Sequence, residues 1–68
     1  MPKVHVNGVV REVSDAMTVA ALLADLEVRG RIAVEVNGEL VPRSTHPTHL
    51  LADGDRIEIV QAIGGGQA

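Results

Sequence analysis

The chain has no cysteine and no Phe, Tyr or Trp. Without cysteine there is no disulfide to staple the fold and no thiolate to attack a substrate. The missing disulfides fit a cytoplasmic protein. Without aromatic rings the core must be built from Val, Leu, Ile, Ala and Met, and single-stranded nucleic acid finds nothing to stack on. An excess of positive charge is lacking as well. The net charge is −3, the wrong sign for a phosphate-backbone binder and the right one for partners with basic docking surfaces. No apolar run approaches the ~20 residues that cross a bilayer, and Met1-Pro2-Lys3-Val4-His5-Val6 lacks the apolar stretch of a signal peptide. Neither nucleic acid nor a membrane is expected as a partner. At 68 residues the chain is one small domain. A domain of this size buries only ~60% of its unfolded surface, too little to enclose a large active site as well as a core.

What is present is strong patterning. Lys3 to Asn7 alternates, with Val4 and Val6 inward, as a half-buried strand does. Asn7-Gly8 predicts a hairpin through a type I′ turn, and Val9 to Val13 is the returning strand. Thr18 is placed to cap a helix, behind which Val19, Leu22, Leu23 and Leu26 form one apolar stripe. Gly30 is expected to end that segment. Ile32, Val34 and Val36 alternate again, Asn37-Gly38 turns, and Leu40-Val41 is a short extended piece stopped by Pro42. Arg43 to Leu51 reads as loop or a single helical turn, and Asp53-Gly54-Asp55 as a tight turn. Arg56 to Gln61 is the last strand, with Ile57 and Ile59 inward. Five strands and one helix predict an α+β fold, a ubiquitin-like β-grasp with a mixed sheet and the helix packed on one face. The segments Val4–Gly8 and Val34–Gly38 share the text Val-x-Val-Asn-Gly. Two short matches are too few for a repeat architecture, and they read as two strand-turn units written in one turn chemistry.

The usual catalytic constellations are missing. Ser14 and Ser44 lie outside any Gly-x-Ser-x-Gly. His46 and His49 are spaced as a ligand pair only on a helix, which Pro47 interrupts, and further ligands are lacking. The carboxylates are spread over turns and outer faces. No catalytic residue and no metal are expected, and the chain reads as a non-enzyme. The run Gly64-Gly65-Gly66 has no Gly-Lys-Ser/Thr and no helix behind it, so it is not a phosphate loop. It directly follows the last core segment, Arg56 to Ile63. Residues 1–63 are therefore expected as the globular domain and 64–68 as a flexible glycine-rich tail. Such a tail, bare of Cβ atoms, can thread a narrow channel in a partner.

Three segments then resemble one family in order: Val36-Asn37-Gly38-Glu39-Leu40-Val41-Pro42-Arg43, Leu51-Ala52-Asp53-Gly54-Asp55-Arg56-Ile57-Glu58-Ile59, and Ala62-Ile63-Gly64-Gly65-Gly66. Together with Thr18-Val19 and Leu22-Leu23 they resemble the ThiS-type sulfur carriers of thiamine thiazole biosynthesis, over essentially the whole chain. The resemblance implies a C-terminal glycine, Gly66, that is adenylated and converted to a thiocarboxylate, with Gly64 and Gly65 threading the partner. It implies ATP used by the activating partner and no cofactor bound to the chain itself. The implied partners are a ThiF-type adenylyltransferase, a cysteine desulfurase or other sulfur donor, and thiazole synthase (ThiG). The family normally ends at Gly-Gly, whereas Gln67 and Ala68 follow Gly66 here. Either a trimming protease, a further partner, removes them before Gly66 is activated, or they are not native, or this copy is inactive as a carrier. Alternatives are a carrier for molybdopterin or a secondary metabolite, a ubiquitin-like protein modifier, or a binding module with an unreactive tail.

Period two places Glu58 and Val60 opposite Ile57 and Ile59. The same logic turns Ala33, Glu35 and His5 outward. This apolar-centred, charge-rimmed patch is the expected docking face.

Overall fold

The computed structural model describes residues 1–61. The elements run β1 (Lys3–Val6), β2 (Val9–Glu12), α1 (Val19–Asp25), β3 (Ile32–Val36), β4 (Glu39–Val41), a turn of 3-10 helix (Arg43–Thr45) and β5 (Arg56–Gln61). The strands form one five-stranded sheet in the order β2-β1-β5-β3-β4. The last strand is thus the central one. It lies parallel to β1 and antiparallel to β3, while each outer strand belongs to a hairpin. The mixed sheet and single helix are those of the expected β-grasp. The expected boundary between domain and tail, at 63/64, falls outside the described residues.

One face of the sheet is closed by α1. Val4, Val6, Val34, Val36 and Ile57 meet Val19, Leu22 and Leu23 there, all buried, with Leu26 and Ile59 half-buried at the margin. The alternation read from the sequence therefore holds for all three inner strands. Val13, Val41 and Leu51 complete the core from outside the stripe and the central strands.

The short helix depends on caps. The Thr18 Oγ1 accepts from the Ala21 amide at 3.1 Å, as an N-cap threonine should. Two further amides of the first turn, on Val19 and Ala20, donate to the carbonyls of His49 and His46, each at 2.9 Å. The loop after β4 thereby satisfies backbone donors that a helix leaves unpaired. His46 is itself buried, and its Nε2 lies 3.1 Å from the Val41 carbonyl. A carbonyl only accepts, so Nε2 carries the hydrogen.

The helix ends earlier than expected, and Gly30 does not end it. Glu27, at φ 59°, takes the left-handed position that usually falls to glycine. The amides of Glu27 and Val28 donate back to Ala24 and Leu23 at 3.1 and 3.0 Å, the paired bonds of a Schellman stop. The motif is accompanied by an apolar contact between its C″ and C3 positions, here Val28 and Leu23; Leu23 is in the core and Val28 is half-buried against it. Burial of Val28 sets the stop, against a conformational cost at Glu27 of about 1 kcal/mol. Gly30, at φ 88°, turns the chain into β3 instead.

Candidate functional site

The site is built around β5, because this strand leads to the glycine run. On the β3 side it is paired from Val36↔Ile57 to Ile32↔Gln61, its far end. On the β1 side backbone pairing covers only His5↔Arg56 and Val6↔Ile57. The reason is the turn. Asn7 sits at φ 48° and Gly8 at φ 85°, so the main chain leaves the sheet.

The side chain of Asn7 then takes over. The Asn7 amide still donates to the Ile57 carbonyl at 2.9 Å. In a parallel ladder the next amide of β5, on Ile59, would go to the Asn7 carbonyl. With Asn7 in the left-handed region it goes to Asn7 Oδ1 instead, at 2.8 Å. Asn7 Nδ2 returns a bond to the Ile59 carbonyl at 3.1 Å. One carboxamide replaces a missing residue of strand.

The second Asn-Gly does the same at the other end. Asn37, at φ 54°, donates its amide to the Arg56 carbonyl at 2.7 Å. Its Oδ1 accepts the Arg56 amide at 2.9 Å, and its Nδ2 reaches Asp55 Oδ1 at 2.9 Å. Both roles go beyond the turn chemistry read from the sequence. The signal that could have revealed them was the repeated Val-x-Val-Asn-Gly, since both copies pair with one strand. At the far end of β5, Gln61 Nε2 donates to the Arg29 carbonyl at 3.3 Å.

The outer face of the sheet carries the expected docking residues together. Ala33 lies directly opposite Val60, and Glu35 directly opposite Glu58. All four are exposed, Val60 by 62%. His5 is also exposed on this face, beside Arg56 and Val10. The structure adds Leu40, opposite Glu35 on β4 and 66% exposed, which the sequence reading left out of the patch. Two glutamates facing each other across an antiparallel pair repel. The face therefore presents Val60, Ala33 and Leu40 beside an acidic pair. The opposite side of the molecule holds a groove of about 450 Å³ between the end of α1, the start of β3 and the 3-10 turn. Its Leu23, Val28 and Ile32 wall is flanked by Arg29 and Arg43. Among the described residues no group of three or more potential ligands gathers into a metal cluster, and no helix is long and apolar enough to cross a membrane. Gly64, Gly65, Gly66, Gln67 and Ala68, on which the tail chemistry is expected, lie outside the described residues.

A short sheet with a single helix on one face, the last strand at its centre and a glycine run beyond that strand, defines a ubiquitin-like β-grasp protein. A profile of the ThiS family matches residues 4–66. The sulfur carrier protein ThiS of Escherichia coli is 34% identical over 61 residues, covering 88% of this chain and 92% of that one. A crystal structure of the thiamine biosynthesis protein ThiS from Geobacter metallireducens superposes with a TM-score of 0.80 at 32% identity, over 94% of this chain and 99% of that one. The chain belongs to the ThiS family. A thiazole synthase of Paramagnetospirillum magneticum is 49% identical over 65 residues, which is 94% of this chain but 20% of that protein. The chain thus spans about a fifth of the length of the thiazole synthases it matches.

Proposed function

We propose that the chain is a sulfur carrier for the thiamine thiazole, and that it carries the sulfur on the carboxyl group of Gly66. The observation that carries this reading is the coincidence of two ends. The family match stops at Gly66, and the glycine run it stops in begins three positions in sequence after Gln61, where the described central strand ends. In this reading Gln67 and Ala68 are first removed by a protease, which frees the Gly66 carboxylate. A carboxylate is a poor electrophile at neutral pH. Its oxygen attacks the α-phosphate of ATP on a ThiF-type adenylyltransferase, and pyrophosphate leaves. The acyl adenylate now has AMP as a leaving group. A persulfide derived from a cysteine desulfurase or another sulfur donor displaces AMP, and a thiol cleaves the acyl disulfide. The thiocarboxylate remains on the carrier. No step needs a thiol or a cofactor on this chain, in keeping with its lack of cysteine. The carrier is a substrate of its partners, and the catalytic groups are theirs.

The likeness to one fifth of proteins named thiazole synthase supports such an enzyme as the acceptor. A polypeptide that contains both a carrier-like stretch and a synthase brings donor and acceptor together at high effective concentration. The outer sheet face is where the globular body docks. Val60, Ala33 and Leu40 supply apolar contact, and Glu58 and Glu35 select a basic counterpart.

The experiment compares a chain ending at Gly66 with the full-length chain. Each is incubated with ATP and the adenylyltransferase, and ATP–pyrophosphate exchange is followed. Exchange with the Gly66 form alone is expected, and adding the sulfur donor should replace one carboxyl oxygen by sulfur in the intact mass. Equal exchange by both forms without trimming would remove the assignment to Gly66. No exchange by either would remove the carrier reading.

A further inference from the structure

We propose that Asn7 is a positioning residue for the reaction at the tail. It fixes the direction in which the chain leaves the sheet by standing in for a strand that is not there. The inference rests on the carrier reading above and names a residue that this reading does not require.

The argument is geometric. β5 must hold its course up to the point where the tail begins. On the β3 side the ladder holds it to Gln61. On the β1 side the backbone ladder stops at Ile57, and Asn7 alone extends it, binding both the amide and the carbonyl of Ile59. A strand end paired on one edge only can twist and fray about that edge. Pairing on both edges removes that freedom up to Ile59, two residues before the described strand ends. A tail that starts from a fixed direction searches a smaller volume for its channel once the body is docked. The fraction of docked encounters that places the carboxylate against ATP rises accordingly.

The molecule supplies its own control. Asn37 makes the same kind of bond to an amide of β5, but to Arg56, at the end remote from the tail. Both asparagines sit at positive φ and both precede glycine. Glycine tolerates that conformation, so Asn7→Gly and Asn37→Gly each delete the carboxamide and keep the turn. Adenylation kinetics are measured for both, on chains ending at Gly66 and below their melting temperatures. Hydrogen exchange of the β5 amides is followed in parallel.

Asn7→Gly is expected to lower kcat by about three- to ten-fold at unchanged KM, because the docking face is intact. It should also speed exchange at Ile59. Asn37→Gly should speed exchange at Arg56 and leave kcat within two-fold of the parent. A role confined to stability would move neither kcat. Equal turnover by the two variants, or an Ile59 amide that exchanges as in the parent, would overturn the positioning role while leaving the carrier reading in place. A parent chain ending at Gly66 that is not adenylated would overturn the carrier reading, and with it any part for Asn7 in that reaction.

Discussion

The two hairpins share four residues of a five-residue text and differ in what that text achieves. Val4-His5-Val6-Asn7-Gly8 and Val34-Glu35-Val36-Asn37-Gly38 each bury two valines, turn at a left-handed asparagine and clamp β5 by its side chain. The first hairpin presents its inner strand parallel to β5, the second antiparallel. That difference alone sends the clamps to opposite ends. A parallel neighbour turns beside the later half of β5, at Ile59, and an antiparallel neighbour turns beside its start, at Arg56. Local chemistry decides what each segment does, and topology decides where it acts.

The largest perturbation removes what the two hairpins have in common. Ile57 is fully buried, and it pairs with Val6 on one side and Val36 on the other. Ile57→Ala should cost ~2–5 kcal/mol, close to the whole stability of a domain this small. Most of the protein should be unfolded near room temperature, and a melting curve like the parent's would mean the hairpins do not share a core. Leu23→Ala, on the helix side of the same core, should behave alike. The turns come next. Gly8 and Gly38 have the same φ of 85°, and a Cβ at either would meet nothing within 4 Å. Their replacement by alanine therefore costs only the conformation, about 1–2 kcal/mol for each. Denaturant midpoints for Gly8→Ala and Gly38→Ala should agree, and a clear inequality would break the equivalence of the turns. Below that lie Asn7→Gly and Asn37→Gly, at about 1 kcal/mol for each lost clamp. Chemical unfolding should find them similar even where their turnover differs.

These comparisons also separate what could be read in the chain from what could not. The strands, both turns and the Thr18 cap were legible because each is decided within a few residues, by period two, by Asn-Gly or by a hydroxyl before an apolar stripe. The end of the helix was not. It depends on Val28 packing against the core, a tertiary gain that puts a glutamate where the sequence offers a glycine three positions later. The second role of Asn7 was hidden for a related reason. Its partner is 52 residues away, and nothing local says that β5 will lie beside it. His46 has a structural role that its sequence context did not show. Its ring is held by the Val41 carbonyl, and both it and His49 lend carbonyls to the helix start. The chemistry proposed for the tail rests on family resemblance, since glycine residues by themselves do not say which enzyme would activate a carboxylate.

The smallest effect on stability sharpens the comparison at the docking face. Glu35 of the second hairpin faces Glu58 of β5 directly, and His5 of the first hairpin faces Arg56. Only the second hairpin therefore adds a like-charged cross-strand pair to the sheet. Directly opposed like charges are destabilising by a few tenths of a kcal/mol at an exposed position. Glu35→Gln should raise the denaturant midpoint slightly, and the gain should fade as salt screens the repulsion. If the pair is kept for a basic partner, the same variant should bind the adenylyltransferase more weakly, mainly through a slower on-rate. Val60→Asp tests the apolar part of that face. It sits outside the core, so the fold should survive with a change within about 0.5 kcal/mol, while affinity for both the adenylyltransferase and the thiazole synthase should fall. Titrations that leave both affinities unchanged for a folded Val60→Asp chain would put the docking surface elsewhere. A Glu35→Gln chain that gains stability and loses no affinity would reduce the acidic pair to a packing accident of the second hairpin. Loss of affinity in both variants, with stability raised in one and unchanged in the other, would show that this face is held at some cost to the fold for the sake of its partners.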